Sequence, residues 1–231
     1  MFFGIPVRIN SSWFVVVVFV AWSLASGYFP FRCPGFSAPM YWGMGIVAAL
    51  LLFLCVLLHE LGHSLVAQRF GIKVLGMTLF LFGGVAQIAS DPTRPAVELL
   101  VALAGPLVSG AIAGACMLAG SAIPVDNRAS LIAVAILRYL AMINFGLILF
   151  NLLPGFPLDG GRILRAALWG GTGSLRTATR ISSAIGSALG LGLIGLGAWS
   201  MLRGAGLHGL WYVFLGLFLR DAALASFRRS G

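Results

Sequence analysis

The chain has 231 residues, 60% of them hydrophobic and 9% charged, with a formal net charge of +9. A soluble domain of this size carries roughly a quarter charged residues. This composition therefore leaves too little polar surface to solvate a globule, and the chain belongs in a bilayer. The positive residues sit between apolar runs, where they set orientation and meet anionic headgroups, so nucleic acid is excluded as the expected partner.

A helix needs about 20 apolar residues to cross the hydrocarbon. In chain order the stretches that qualify, or nearly so, are Ser12–Tyr28, Tyr41–Ala67, Val97–Ile123, Ala129–Leu153, Ile181–Leu202 and Leu207–Phe227. The first is short and ends in Ser-Leu-Ala-Ser, which resembles a signal-peptide cleavage site. Only Arg8 precedes it, and Trp13 and Tyr28 read as interfacial anchors, so a retained helix is expected. Between the second and third spans, Lys73–Ile88 is too short to cross. Its Phe82-Gly83-Gly84 centre reads as a turn between two extended apolar segments, giving a small hairpin or re-entrant loop that must be buried in protein or line a cavity. An extended peptide could add to the edge of such a hairpin. The expected fold class is an all-α polytopic membrane protein of six transmembrane helices with this hairpin after the second. It forms one domain over residues 1–231, with no repeat or soluble appendage.

Positive residues orient it. With the N-terminus in the cytoplasm, the inner segments hold Arg8, Arg69, Lys73, Arg94, Arg162, Arg165, Arg176, Arg180, Arg220, Arg228 and Arg229, and the outer ones hold Arg32, Arg128 and Arg203. This bias puts both termini inside. Arg138 lies within the fourth span, where it either snorkels outward or meets an internal acid. Cys33, Cys55 and Cys116 are scattered without a disulfide or Cys-x-x-Cys pattern and read as packing residues.

The second span contains Leu58-His59-Glu60-Leu61-Gly62-His63. At about 100° per residue, positions four apart lie roughly 40° apart on a helix. His59 and His63 therefore share a face, one turn apart, at the spacing with which two imidazoles grip a zinc ion. Glu60 lies beside that face, where a carboxylate can act on water without being a ligand. Two of the chain's three histidines fall in this one motif inside hydrocarbon, where polar groups are costly unless satisfied. A catalytic zinc usually takes a third protein ligand. Asp91, Glu98, Asp126, Asp159, His208, Asp221 and the cysteines are the candidates. Depth and side prune the list, and Asp159 stands out for its surroundings: it follows Asn151-Leu152-Leu153-Pro154-Gly155-Phe156-Pro157-Leu158 and precedes Gly160-Gly161. Those prolines and glycines break the fourth helix, and a broken backbone at that depth implies a polar, protein-lined cavity. Asn151 supplies a second polar side chain at its entrance.

His59-Glu60-Leu61-Gly62-His63, Phe82-Gly83-Gly84-Val85, Ala104-Gly105-Pro106 and Asn151–Gly161, in that order, resemble the site-2 protease family of intramembrane zinc metalloproteases. The likeness covers roughly residues 41–165. It implies one Zn2+ held by His59, His63 and Asp159, with Glu60 as general base and acid. It further implies that Asn151 holds the substrate carbonyl or developing oxyanion, and that the first, fifth and sixth spans form a mobile gate. Its implied partner is a membrane-anchored protein or peptide, cut in the cytoplasmic half of the cell (inner or plasma) membrane. A transporter would instead string polar residues through the whole membrane thickness, whereas here they cluster at one side. A zinc-stapled scaffold would not need Glu60.

Overall fold

A computed structural model of the chain describes residues 3–80, 83–90, 92–204 and 206–229. Six helices among the described residues are long and apolar enough to cross a membrane: Ser11–Arg32, Ala38–Arg69, Pro95–Ala122, Arg128–Asn151, Leu175–Leu202 and His208–Arg228. Phe14, Val15, Val18, Phe19 and Trp22 are exposed along the first, and Leu191, Leu196 and Trp199 along the fifth. Apolar surface facing outward is what a hydrocarbon solvent permits, and the chain is an integral membrane protein.

The chain falls into two compact units, Met1–Asp91 with Ala104–Ile148, and Pro92–Leu103 with Leu149–Gly231. The first begins with strand β1 (Val7–Ile9) and helix α1 (Ser11–Ser23), whose Asn10 cap accepts a hydrogen bond from the Ser12 N–H at 3.0 Å. A π-helical turn, Leu24–Tyr28, and a four-residue helix α2, Phe29–Arg32, carry the first span four residues past Tyr28, where the apolar run predicts its end. Helix α3 (Ala38–Arg69) follows, starting with Pro39 in its first turn, where the missing N–H has no helical partner to lose.

The expected hairpin exists as β2 (Val74–Phe80) and β3 (Gly83–Ile88), antiparallel with Phe80 opposite Gly83. Gly83 and Gly84 are strand residues here, not turn residues; Leu81 and Phe82 lie outside the described residues. A third strand was not foreseen. β1 pairs parallel to β2, Val7 opposite Met77 and Ile9 opposite Leu79, which gives the order β1-β2-β3. Parallel pairing needs a long crossover, and α1 to α3 supply it.

Leu24, Ala25, Phe29, Cys33, Tyr41, Met44, Ala48, Cys55, Ala135, Tyr139 and Leu140 form a core in this unit. The Tyr41 hydroxyl donates to the Cys33 carbonyl at 2.8 Å. Helices α4 (Pro95–Ala122) and α5 (Arg128–Asn151) supply residues to both units.

In the second unit, the Pro/Gly segment after Asn151 leads into α6 (Asp159–Thr172), a helix between the fourth and fifth spans. Gly173, at φ 68°, ends it in the left-handed conformation, and Ser174 caps α7 (Leu175–Leu202). Helix α7 thus begins six residues before Ile181, where the apolar run predicts the start of the fifth span. Helices α7 and α8 (Gly206–Arg229) pack through glycines: a Cβ at Gly190 or Gly197 would press on the carbonyls of Gly216 and Gly209. Small residues let membrane helices approach closely.

Candidate metal centre

His59 and His63 are both buried on α3, 3% and 6% exposed, and their Nε2 atoms lie 3.2 Å apart. Two nitrogens bound at ~2.05 Å to one tetrahedral ion would be about 3.3 Å apart. The pair is therefore already at the separation that a shared metal requires. The Nδ1 of His59 lies 2.9 Å from Ser109 Oγ on α4, and Ser109 is fully buried. In the tautomer with its proton on Nδ1, the ring donates to that hydroxyl and turns the Nε2 lone pair toward His63; such outer contacts fix metal-binding imidazoles.

Gly105 explains why α4 can come so close. A Cβ there would overlap the Nε2 atoms of both His63 and His59. The cradle in front of the two rings is thus made by the absence of a side chain, and Pro106 beside it omits one helical N–H. Gly62, within the motif, meets Ala104 and Val108 of α4 in the same way. Glu60 is half-buried, and a Cβ at Gly84 would lie 2.6 Å from its Cγ, so β3 passes directly over this carboxylate's stem.

Asp159 is buried, 7% exposed, in the first turn of α6. Close backbone approach fixes this start: a Cβ at Gly160 would strike the Leu152 carbonyl, and one at Gly161 would strike Gly155 and Phe156. The Phe156 N–H donates to the Ser182 carbonyl at 3.2 Å. Possible ligand atoms of His59, His63 and Asp159 all lie within 4.8 Å of one another. Two imidazole nitrogens and one carboxylate oxygen are a donor set that zinc accepts while keeping a position for water. The three residues fit the ion, and this group could hold it.

Asn151 is the last residue of α5 and is half-buried. Gly83, Gly84 and Val85 lie on β3, with Leu79 opposite Gly84 and Thr78 opposite Val85. Of the other acids weighed as ligands, Asp126 accepts hydrogen bonds from Asn127 and Ser130. Glu98 is fully buried and carries an ion pair with Arg165, itself 8% exposed in its side chain. The Arg165 guanidinium lies 4.9 Å from the centre of the Phe156 ring. This pair joins the start of α4 to α6, six residues beyond Asp159, and sequence reasoning missed it because the partners are 67 positions apart. Ser109 was missed as well; a hydroxyl in an apolar helix four residues after Ala104-Gly105 carries no local signal of its own.

A family model for peptidase family M50 matches residues 47–125 and 117–193. The Synechocystis protein sll0528, named as a candidate zinc metalloprotease, is 39% identical over 228 residues, covering 99% of this chain and 59% of its own length. Rip3 of Mycobacterium tuberculosis, named likewise, is 37% identical over 225 residues, covering 95% of this chain and 56% of its own. The chain therefore spans under two thirds of the length of these curated relatives. The site-2 protease from Methanocaldococcus jannaschii superimposes with a TM-score of 0.68 at 30% identity, covering 98% of this chain and 93% of that one. The family model covers more than half of the chain, and the chain belongs to peptidase family M50, the site-2 protease family.

Proposed function

We propose that this protein is an intramembrane zinc metalloprotease that hydrolyses peptide bonds within or next to the transmembrane helices of membrane-anchored substrates. The observation that carries this reading is the buried His59, His63 and Asp159 group with Glu60 beside it on α3. Zinc bound there would supply Lewis acidity, with hydroxide available near neutral pH. Glu60 takes a proton from the attacking water and returns it to the leaving amine. Asn151 donates to the developing oxyanion, a contact worth about 3 kcal/mol by comparison with other single donors.

A helical substrate hides its peptide bonds and must become extended. The order β1-β2-β3 leaves β3 at the edge of the sheet, and Gly84 on it packs against Glu60. Strand addition along Gly83, Gly84 and Val85, and at Phe82 before them, would hold an extended segment beside the general base. The excess of arginine in the segments containing Arg69, Lys73 and Arg94 supports cytoplasmic termini, and with them a site in the cytoplasmic half of the cell membrane.

Glu60→Gln tests the reading. In reconstituted membranes the variant should keep its zinc and lose cleavage of a transmembrane peptide down to background. Undiminished cleavage would remove Glu60 as the base. Asn151→Ala should lower turnover by about 10²–10³-fold with zinc retained; an unchanged rate would take the oxyanion role from it.

A further inference from the structure

Arg138 lies ten residues into α5, about 15 Å from that helix's first residue at 1.5 Å per residue. An arginine within a span is costly and calls for a compensating partner. Among the described residues no carboxylate pairs with Arg138 or with Arg32: Glu98 is taken by Arg165, Asp126 is bonded to Asn127 and Ser130, and Asp159 sits in the metal group.

Instead the two arginines share a cavity of about 210 Å³, lined also by Tyr28, Cys33, Leu131, Val134 and Ala135. A single water needs only ~10–15 Å³ on such a measure, so the space admits a polyatomic group. Both guanidinium charges reach the same place. Burial pushes the Cys33 thiol up from its usual range, while Arg32 and Arg138 both pull it down. Two like charges converging at the end of the first span, with both side chains exposed and no acid between them, make a binding site for an anion. Planar guanidinium forks match phosphate oxygens in particular. The remaining wall, Leu131, Val134 and Ala135 on α5, is apolar and suits the part of a lipid next to its headgroup.

We propose that the cavity between Arg32 and Arg138 binds the phosphodiester headgroup of an anionic phospholipid. The lipid would neutralise Arg138 within the membrane and tie the end of the first span to α5. The site is independent of the metal centre, so it stands whether or not peptide hydrolysis is the protein's activity.

The test uses the full chain, delipidated in detergent and titrated separately with phosphatidylglycerol, phosphatidylcholine and inorganic phosphate. Binding is read by native mass spectrometry and by the shift in thermal unfolding. Phosphatidylglycerol should bind and raise the unfolding temperature, and phosphatidylcholine should do neither. Arg138→Gln should weaken phosphatidylglycerol binding by about tenfold or more, the loss of one or two charge-assisted hydrogen bonds, with zinc content unchanged. Arg138→Lys should restore part of it. Should Arg138→Gln fail to fold, Arg32→Gln, at the exposed end of the first span, carries the same expectation. Equal binding of both lipids, or undiminished phosphatidylglycerol binding in the folded variants, overturns the proposal. Inorganic phosphate that binds as tightly as the lipid overturns the lipid assignment and leaves a site for a free anion.

Discussion

Two of the polar clusters buried among the described residues meet the cost of burial in different ways. Glu98 and Arg165 close on each other: a carboxylate and a guanidinium form an ion pair inside the second unit, with Phe156 against the guanidinium face. His59 and His63 instead turn their Nε2 atoms toward a common point, 3.2 Å apart, while Ser109 engages His59 from behind. The first cluster joins opposite charges and ties the start of α4 to α6. The second gathers electron pairs, an arrangement that becomes favourable with a cation among them. What separates a structural polar cluster from a metal centre is whether its members answer one another or converge.

Gly105→Val should break that contrast most severely. Its side chain would occupy the space of both imidazole nitrogens, so zinc measured by elemental analysis should fall close to zero while the helical circular dichroism persists. Glu98→Leu should come next. Leaving Arg165 buried without its acid should cost about 3–5 kcal/mol, read as earlier thermal unfolding in detergent. The double variant Glu98→Leu with Arg165→Met should recover most of that loss, because the pair is answerable by apolar packing; the histidines admit no such rescue. Ser109→Ala should weaken zinc affinity by about 10–100-fold in a chelator competition, since the His59 tautomer loses its partner. Gly84→Ala should act most mildly. The added methyl crowds the flexible stem of Glu60, so cleavage should slow by a few fold with zinc unaffected.

Much of this arrangement was legible in the sequence wherever the signal was local. The i,i+4 spacing put His59 and His63 on one face without knowledge of any other helix. The prolines and glycines before Asp159 announced broken backbone, and the segment between Asn151 and the start of α6 at Asp159 is indeed irregular. The hairpin was readable from two apolar extended segments, although its glycines fell in β3, where Gly84 serves close approach to Glu60. Non-local pairings were not legible. β1 is three residues long and meets β2 some 70 positions later, so no alternation pattern could reveal it. Arg165 looked like one more flanking cation until its partner in α4 came into view. Helix α6 was hidden because the same prolines and glycines that mark the break also mask the helix that begins at Asp159. Glycine at position 105 was visible as part of Ala-Gly-Pro, but its purpose, leaving room before two imidazoles, belongs to packing and not to the motif.

The central claim is that His59, His63 and Asp159 hold one zinc ion together. Zinc stoichiometry of the purified protein, measured by elemental analysis in parallel with His59→Ala, His63→Ala and Asp159→Ala, tests it most directly. One zinc per chain is expected for the parent protein, with each of the three variants far below it. A parent chain free of zinc, or an Asp159→Ala variant that keeps its full complement, would contradict the account.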